Sequence, residues 1–321
     1  DRDRRSSSTD DLYTPFLQVH SVNACIEPTR RLRFGVMVPE SALAWWQAEV
    51  IRRVLQTAVA SPELVIVDCT PPSPIARGLI HRESAWNLYQ RRFVRGRVPA
   101  SRPEAWRPLM PSATIIEVTA ERRGRFSEHF THTDVQRVQA HDLDFILRFG
   151  FNILRGEILR VPRYGVWSYH HGDLFEMRGQ PACFWEVYRD KAVTGVTLQR
   201  LTDALDAGVV LGMRHVATIR KSYVRTRDSV LRAGVGMVEQ ACQAILRGDT
   251  EAVTGEPART TASIDRAPGC ASVANFMAKL TWRRVTDACR WLFTYDQWNV
   301  GVIRSSTSDV ASGRVMKPEW L

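Results

Sequence analysis

Short apolar runs alternate with segments of helical period along most of the chain. After the first run, Trp45, Val50 and Val54 recur at the spacing of a buried helix stripe. The predicted strands cover residues 33–38, 64–67, 114–118, 145–147, 165–170, 194–200 and 209–219. The predicted helices cover residues 42–60, 80–95, 134–141, 153–159, 225–246 and 273–293. This alternation predicts an α/β fold with a Rossmann-like, doubly wound, mostly parallel sheet and a short C-terminal extension.

The chain divides into three parts by composition. Residues 1–32 are charged and Ser-rich and read as a tail, and the chain starts at Asp1 with no leader pattern, so we expect a trimmed start. Residues 33–248 form the predicted domain. Residues 249–321 are a predicted linker followed by a helical and strand extension, in which residues 298–303 resemble an edge strand. The extension is compatible with the start of a further domain.

Composition excludes several classes of protein. The 321 residues are 44% hydrophobic and 24% charged, which argues against disorder, collagen and a small disulfide scaffold. No apolar run reaches the ~18 residues of a membrane span. The six cysteines lie far apart without paired spacing, so we expect free thiols, a reducing compartment and a cytoplasmic protein.

The net charge of +10 raises the question of a polyanionic partner. The basic residues are nearly all arginines, since only Lys191, Lys221, Lys279 and Lys317 are lysines. They are scattered rather than gathered into a stripe with interleaved aromatic residues. We therefore predict solvated basic faces, and the scattered charge argues against a nucleic-acid partner.

Polar chemistry concentrates at the ends of two predicted strands. One strand ends in residues 148–152 (RFGFN), and another runs into residues 168–173 (SYHHGD). Alternation places Ser168 and His170 on one face of the sheet and Tyr169 on the other. A histidine beside a hydroxyl at a strand end suits proton transfer, and a hydrogen-bonded structural histidine is the alternative.

Four motifs in fixed order resemble one family. They are Ser168-Tyr169-His170, Arg178-Gly179, the run Thr194-Gly195-Val196-Thr197, and the run Leu205-Asp206-Ala207-Gly208. This arrangement is similar to the core of the 10-formyltetrahydrofolate-dependent formyltransferases, which include methionyl-tRNA, glycinamide ribonucleotide and amino-sugar N-formyltransferases. The resemblance implies the formyltransferase fold and 10-formyltetrahydrofolate as co-substrate.

The resemblance also implies residue roles. Ser168, His170 and Asp206 would form the catalytic group, with Asp206 tuning His170. Residues 148–154 resemble the family's segment beside the folate pterin. The residues predicted to bind the folate are Arg148, Phe149, Gly150, Phe151, Ile153, Leu154, Arg178, Gly179 and Leu205. Arg148 and Arg178 would bind the anionic glutamate tail of the folate. The alternative role for Arg178 is to brace its own loop.

The chain departs from the family pattern at two places. Ser168 stands where the family has Asn, and residues 172–177 replace the usual Ser-Leu-Leu-Pro loop. His171 and Asp173 are additions that we predict to bind the substrate amine. We predict no metal site, because adjacent strand residues point to opposite faces.

These observations predict an N-formyltransferase that modifies a small amine, either an amino sugar or a secondary-metabolite amine, in a biosynthetic pathway. Three rivals stay open: non-folate acyl transfer or hydrolysis on the same fold, an inactive recognition domain, and a basic nucleic-acid binder. The C-terminal part lacks the evenly spaced strands of the RNA-binding barrel that follows this domain in methionyl-tRNA formyltransferases. A homodimer and a larger multidomain protein both stay open.

Overall fold

A seven-stranded sheet forms the centre of the molecule. The computed structural model describes residues 31–71, 84–124, 127–204, 207–258, 260 and 262–305. The strands of this sheet are β1 (Leu32–Pro39), β2 (Ala60–Asp68), β3 (Thr114–Val118), β4 (Phe145–Arg148), β5 (Val166–His170), β6 (Val193–Arg200) and β7 (Val209–Ala217). Their spatial order is β7-β6-β5-β4-β1-β2-β3.

The sheet is mostly parallel, as predicted. Strands β5, β4, β1, β2 and β3 pair in parallel, while β6 runs antiparallel to both β5 and β7. The chain builds outward from β1 to β3 and then returns to place β4 on the other side of β1. The order of the strands therefore reverses between β1 and β4, where ligands of open α/β sheets bind, beyond the carboxyl ends of the strands.

Helices cover both faces of the sheet. They are α1 (Trp45–Gln56), α2 (Ala85–Tyr89), α3 (His132–Gln139), α4 (Phe184–Tyr188), α5 (Tyr223–Ala233), α6 (Met237–Leu246), α7 (Glu251–Thr254) and α8 (Cys270–Ser305). Single turns of tighter or wider helix lie at Gln90–Val94, Pro99–Ser101, Arg107–Leu109 and Glu157–Arg160.

Strand alternation divides the buried side chains into two cores. In β1, Val36 and Val38 join the core beneath α1, α5 and α6, while Met37 joins the core beneath α3. In β5, Trp167 is fully buried and stacks on Phe145 with ring centroids 4.2 Å apart. Because both faces are covered, the strands read as continuous apolar runs, which is why the sequence located them.

Short strands pair outside the central sheet. Leu43–Ala44 pairs with Pro103–Glu104, and Arg178–Gly179 pairs with Ile264–Asp265. A further small sheet joins Glu121–Arg123, Ser127–His129 and Ile153–Arg155. The helix predicted over residues 153–159 was wrong in its first half, because that segment pairs with the strand at 127–129. Gly156, at φ +87°, ends the strand before the helical turn.

Two further predictions were wrong. The single helix predicted over residues 225–246 is broken into α5 and α6 at Gly234, whose carbonyl accepts a hydrogen bond from the Tyr169 hydroxyl at 2.8 Å. The edge strand predicted at residues 298–303 is helical backbone within α8.

The chain after residue 248 packs onto the domain in part. Val253 in α7, and Val273 and Phe276 in α8, are buried in the larger of the two cores. The division of the chain into residues 1–32, 33–248 and 249–321 stays a prediction. Among the described residues, no helix combines the length and apolar character needed to cross a bilayer.

Candidate active site

The predicted site residues lie at the carboxyl ends of β4 and β5. Arg148 is the last residue of β4 and His170 the last of β5. The two strands are parallel neighbours, with Trp167 opposite Leu147. Both ends lie next to the reversal of strand order beside β1, which is where an open α/β sheet binds its ligands.

Ser168 is held by Arg148. The serine is 2% exposed, and its Oγ accepts hydrogen bonds from Arg148 Nε at 3.1 Å and from Nη2 at 2.8 Å. A guanidinium only donates, so both bonds use the lone pairs of the hydroxyl oxygen. The Ser168 hydroxyl hydrogen is therefore available for donation to another acceptor.

His170 has one ring nitrogen fixed by the backbone. Its Nε2 lies 3.0 Å from the carbonyl oxygen of Met177. Because a carbonyl can only accept, Nε2 must carry the hydrogen in this bond. In the neutral ring, Nδ1 is then the basic nitrogen, which is the state a proton acceptor requires.

Arg148 also positions the loop that follows β4. Its Nη1 donates to the carbonyl oxygens of Phe151 at 3.0 Å and Asn152 at 2.6 Å. The amides of Phe149 and Gly150 both donate to the Met37 carbonyl at 2.9 Å. One cation thus fixes the loop and the end of the neighbouring strand together.

Two carboxylates hold the other side of this loop. Asp68 Oδ2, at the end of β2, accepts from the Phe151 amide at 2.8 Å. Glu128, which is 1% exposed, accepts from the Asn152 amide at 2.7 Å and from its side chain at 2.6 Å. Sequence reasoning missed both carboxylates as parts of the site. Asp68 carried a signal as the polar end of a buried strand, whereas Glu128 lies in a charged segment without a recognisable pattern.

The apolar members of the predicted cofactor-binding set differ in burial. Phe149 is half-buried, edge-on to Trp46 with ring centroids 5.6 Å apart. Phe151, at φ +61°, packs against Phe130 in the core beneath α3, where Leu154 is also buried. Ile153 is half-buried. Phe149 and Ile153 therefore have the larger accessible faces.

Arg178 and Gly179 lie in a tight crossing with the strand at 264–265. Arg178 Nη1 donates to the Ala262 carbonyl at 3.3 Å. Gly179 has φ +98°, and a Cβ there would lie 2.1 Å from the Asp265 carbonyl oxygen. Only glycine fits this crossing, so the Arg-Gly motif has a structural reason, and the contact of Arg178 with Ala262 agrees with its suggested role in bracing the loop.

The Thr194–Thr197 motif also supports the loop after His170. A Cβ at Gly195 would lie 2.6 Å from the Asp173 amide nitrogen, so the loop crosses β6 where there is no side chain. Thr197 Oγ1 donates to the Gly172 carbonyl at 3.0 Å. The motif thus seats the loop that carries His171 and Asp173.

The Asp173 carboxylate is engaged on both oxygens. Oδ1 accepts from the Phe175 amide at 2.8 Å, and Oδ2 lies 2.9 Å from His215 Nε2 on β7. The Asp173 side chain is 18% exposed, whereas His215 is 42% exposed. The pair fixes the loop against β7, and the predicted contact of Asp173 with a substrate amine stays a prediction.

His171 lies away from Ser168. Its ring is edge-on to Trp46 at 5.0 Å and parallel to Tyr169 at 6.3 Å. Burial, with smaller contributions from the charges of Arg227 and His170, lowers the pKa of His171 to about 3. The imidazole is therefore neutral at physiological pH. Its buried Nδ1 has no hydrogen-bond partner within the described ranges.

Leu205 and Asp206 lie outside the described residues, so their predicted roles stay predictions. The flanking chain connects β6 to β7 and is tied down by Asp203, whose Oδ1 accepts from the Gly156 amide at 2.9 Å. Across the part of the chain that the structure describes, no three His, Cys, Asp or Glu side chains form a group able to hold a metal ion.

Comparisons with known proteins agree on one family. No family model matches the sequence. A methionyl-tRNA formyltransferase of Burkholderia pseudomallei (strain 1710b) is 26% identical over 216 residues, covering 67% of this chain and 59% of that protein. A methionyl-tRNA formyltransferase of Phenylobacterium zucineum (strain HLK1) is 28% identical over 203 residues, covering 62% and 56%. This chain therefore spans less than two thirds of the length of these relatives.

Solved structures align less closely. Glycinamide ribonucleotide transformylase 1 from Symbiobacterium toebii aligns with a TM-score of 0.47 at 16% identity, over 68% of this chain and 89% of that one. The sequence relatives, taken with the motif order, support a formyltransferase-family domain in the α/β unit of this chain.

Proposed function

We propose that this chain transfers a formyl group from 10-formyltetrahydrofolate to the amine of a small molecule, such as an amino sugar or a secondary-metabolite amine. One observation carries the proposal: His170, in the tautomer with Nε2–H bound to Met177, ends β5 two residues after the buried Ser168, whose oxygen accepts from Arg148. A base and a hydroxyl donor at neighbouring strand ends match the needs of acyl transfer.

The proposed reaction begins when the neutral amine nitrogen attacks the formyl carbon. A new C–N bond forms, and the carbonyl electrons move onto oxygen to give a tetrahedral oxyanion. The Ser168 hydroxyl donates to this oxygen, since its lone pairs are already engaged by Arg148. His170 Nδ1 accepts the proton that the nitrogen loses. The oxyanion then re-forms the carbonyl, and the bond to folate N10 breaks as N10 takes the proton that His170 Nδ1 had accepted, which returns His170 to its neutral form.

Asp206 is proposed to tune His170, as the family resemblance implies. The pterin is proposed to lie along the loop after β4, where Phe149 and Ile153 present accessible apolar faces and Gly150 brings the backbone close to β1. The other proposed cofactor contacts are Arg148, Phe151, Leu154, Arg178, Gly179 and Leu205. His171 and Asp173 are the proposed substrate contacts.

The acceptor is proposed to be small rather than a transfer RNA. Within the described part of residues 249–305, the chain forms two helices and a two-residue strand, a different arrangement from an RNA-binding barrel. The relatives carry the name methionyl-tRNA formyltransferase, so formylation of methionyl-tRNA is the second candidate.

A label-transfer assay tests this proposal. The full chain is incubated with 10-formyltetrahydrofolate labelled in the formyl group, together with a panel of amino sugars, small amines and methionyl-tRNA. We expect label on a small amine, with loss of transfer in His170→Ala and retention in His132→Ala, whose side chain is 74% exposed. Formate release without an acceptor would replace the proposal with hydrolysis, and intact donor in every reaction would favour the inactive recognition domain.

A further inference from the structure

The loop that follows β5 folds back onto the His170 ring. His170 Nε2 donates to the carbonyl of Met177, seven residues further along the chain, at 3.0 Å. A Cβ at Gly172 would lie 2.9 Å from both His170 Nε2 and the Met177 oxygen, so the loop passes directly against this hydrogen bond. The orientation of the His170 ring therefore depends on where the loop holds Met177.

Thr197 on β6 holds the first part of this loop. It lies opposite His170 in the antiparallel pairing of β5 with β6, and its side chain is fully buried. Thr197 Oγ1 donates to the Gly172 carbonyl at 3.0 Å. The cross-strand neighbour of His170 thus fixes the residue that lies against the His170 hydrogen bond.

His215 on β7 holds the next part of the loop. It lies opposite Gly195 in the pairing of β6 with β7, and the Asp173 backbone crosses β6 at that glycine, where a Cβ would lie 2.6 Å from the Asp173 nitrogen. Beyond this crossing, Asp173 Oδ2 lies 2.9 Å from His215 Nε2. A carboxylate can only accept, so His215 donates in this bond.

Asp173 connects this contact to Met177. Its backbone carbonyl accepts from the amides of Glu176 at 3.1 Å and Met177 at 2.7 Å. Its Oδ1 accepts from the Phe175 amide at 2.8 Å, a bond typical of an aspartate that begins a turn. Because these bonds close the turn at residues 173–177, a shift of Asp173 displaces the Met177 carbonyl that binds His170.

We propose that Thr197 and His215 are positioning residues for His170. They act through the loop at residues 172–177, whose Met177 carbonyl keeps the hydrogen on Nε2 and so leaves Nδ1 as the proton acceptor. The inference deepens the proposed function and rests on it for the reaction that His170 performs. Each Asp173 oxygen has a further lone pair, so the loop can be held by His215 while Asp173 contacts the substrate amine.

A ¹⁵N spectrum of the histidine rings tests this positioning without a known acceptor. A neutral ring held in one tautomer has well-separated shifts for its bare and its hydrogen-bearing nitrogen, whereas in a released ring the tautomers exchange and the two shifts converge. The His170 signals are assigned by their loss in His170→Gln. We expect the shifts to converge in Thr197→Val and in His215→Phe. Unchanged shifts in either variant would overturn the proposal for that residue.

Conservative variants and a matched control separate positioning from general loss of structure. Thr197→Ser and His215→Gln each keep a donor for the same acceptor and should retain the wild-type shifts. Thr226→Val is the control for Thr197→Val, because Thr226 is also fully buried and its hydroxyl contacts Ile219 at 3.0 and 3.2 Å. It should lower stability and leave the His170 shifts unchanged. Convergence in Thr226→Val as well would overturn the proposal.

Variant kinetics give a second readout once transfer is observed. Thr197→Val and His215→Phe should each lower kcat about tenfold, because a misplaced proton acceptor slows the chemical step. KM for the amine should change much less, since neither residue contacts the substrate in the proposed reaction. An unchanged kcat, or a loss that lies in KM alone, would contradict a positioning role.

The ring spectrum and a folate titration separate the two levels of inference. If the His170 shifts stay fixed in both variants while 5-formyltetrahydrofolate binds the wild type, the positioning proposal is wrong and the proposed function stands. If the shifts converge as expected while the folate fails to bind, the positioning of His170 stands and the formyl-transfer proposal fails.

Discussion

The Arg148 guanidinium donates two hydrogen bonds to the buried Ser168 oxygen, from Nε at 3.1 Å and Nη2 at 2.8 Å. This contact joins the carboxyl ends of β4 and β5 and connects them to the loop at residues 149–152. Where the family pattern has an asparagine amide, this chain has a hydroxyl whose lone pairs are bound by a cation. Ser168 therefore keeps this position polar, and its hydroxyl hydrogen can still donate a hydrogen bond although the asparagine is replaced.

Ser168→Ala tests the structural part of this relationship. The variant removes the Ser168 oxygen that accepts from two guanidinium N–H groups of the half-buried Arg148, which should lower the free energy of unfolding by about 1–3 kcal/mol. Urea denaturation measures this loss. Ser61→Ala is the matched control, because its hydroxyl donates to Glu63, two residues away, at 2.9 Å, and it should change the value by less than about 0.5 kcal/mol. Equal stability of the two variants would show that the Arg148 contact is weak.

Gly150→Ala tests the proposed pterin loop. A Cβ at this position would lie 2.8 Å from the Val38 carbonyl carbon and 2.9 Å from its oxygen, both backbone atoms that cannot move aside cheaply. We expect a stability loss of about 1–3 kcal/mol and weaker binding of 5-formyltetrahydrofolate. Gly269→Ala is the control, since nothing lies within 4 Å of its added Cβ. Folate affinity that survives in Gly150→Ala would place the pterin elsewhere.

His171 gives the fold a predictable acid sensitivity. Its pKa falls from 6.5 in the unfolded chain to about 3 in the folded one because the ring is buried. Between these two pH values the unfolded state binds a proton that the folded state does not. The contribution of His171 to the free energy of unfolding is therefore complete above pH 6.5 and declines as the pH falls toward 3. His171→Leu should remove up to about 1.4 kcal/mol per pH unit from that decline.

Denaturation of both proteins across this pH interval measures the difference. His132→Gln replaces an exposed histidine and should follow the wild-type curve. Parallel curves for wild type and His171→Leu would mean that the imidazole is accessible to water and protonates in the folded state.

The sequence located most of the central sheet because its strands are buried on both faces. Thr114–Val118 and Phe145–Arg148 were predicted within one residue from short apolar runs with polar ends. The strands at 121–123 and 127–129 were missed, since charged residues dominate both and their pairing depends on Ile153–Arg155, which is remote in sequence. The break between α5 and α6 likewise depends on Tyr169, which no local pattern reveals.

The site divides in the same way. The positions of Ser168, His170 and the residues after β4 at strand ends were predictable, because the strands themselves were visible in the sequence. Their chemical roles stay predictions. The hydrogen bonds of Asp68 and Glu128 to the loop after β4 could not be predicted, because each carboxylate is remote in sequence from the amide that it binds. The contact of His215 with Asp173 gave no signal either, since the two residues are also remote in sequence.

The central claim is that this domain binds a formyl-folate beside His170. Calorimetric titration of the full chain with 5-formyltetrahydrofolate, a stable analogue of the donor, tests it most directly. We predict saturable one-to-one binding to the wild type and weaker binding to Gly150→Ala, with His170→Ala still folded and able to bind while inactive in transfer. Absence of binding heat at several temperatures with well-folded wild-type protein would contradict the account and leave the fold with a different ligand.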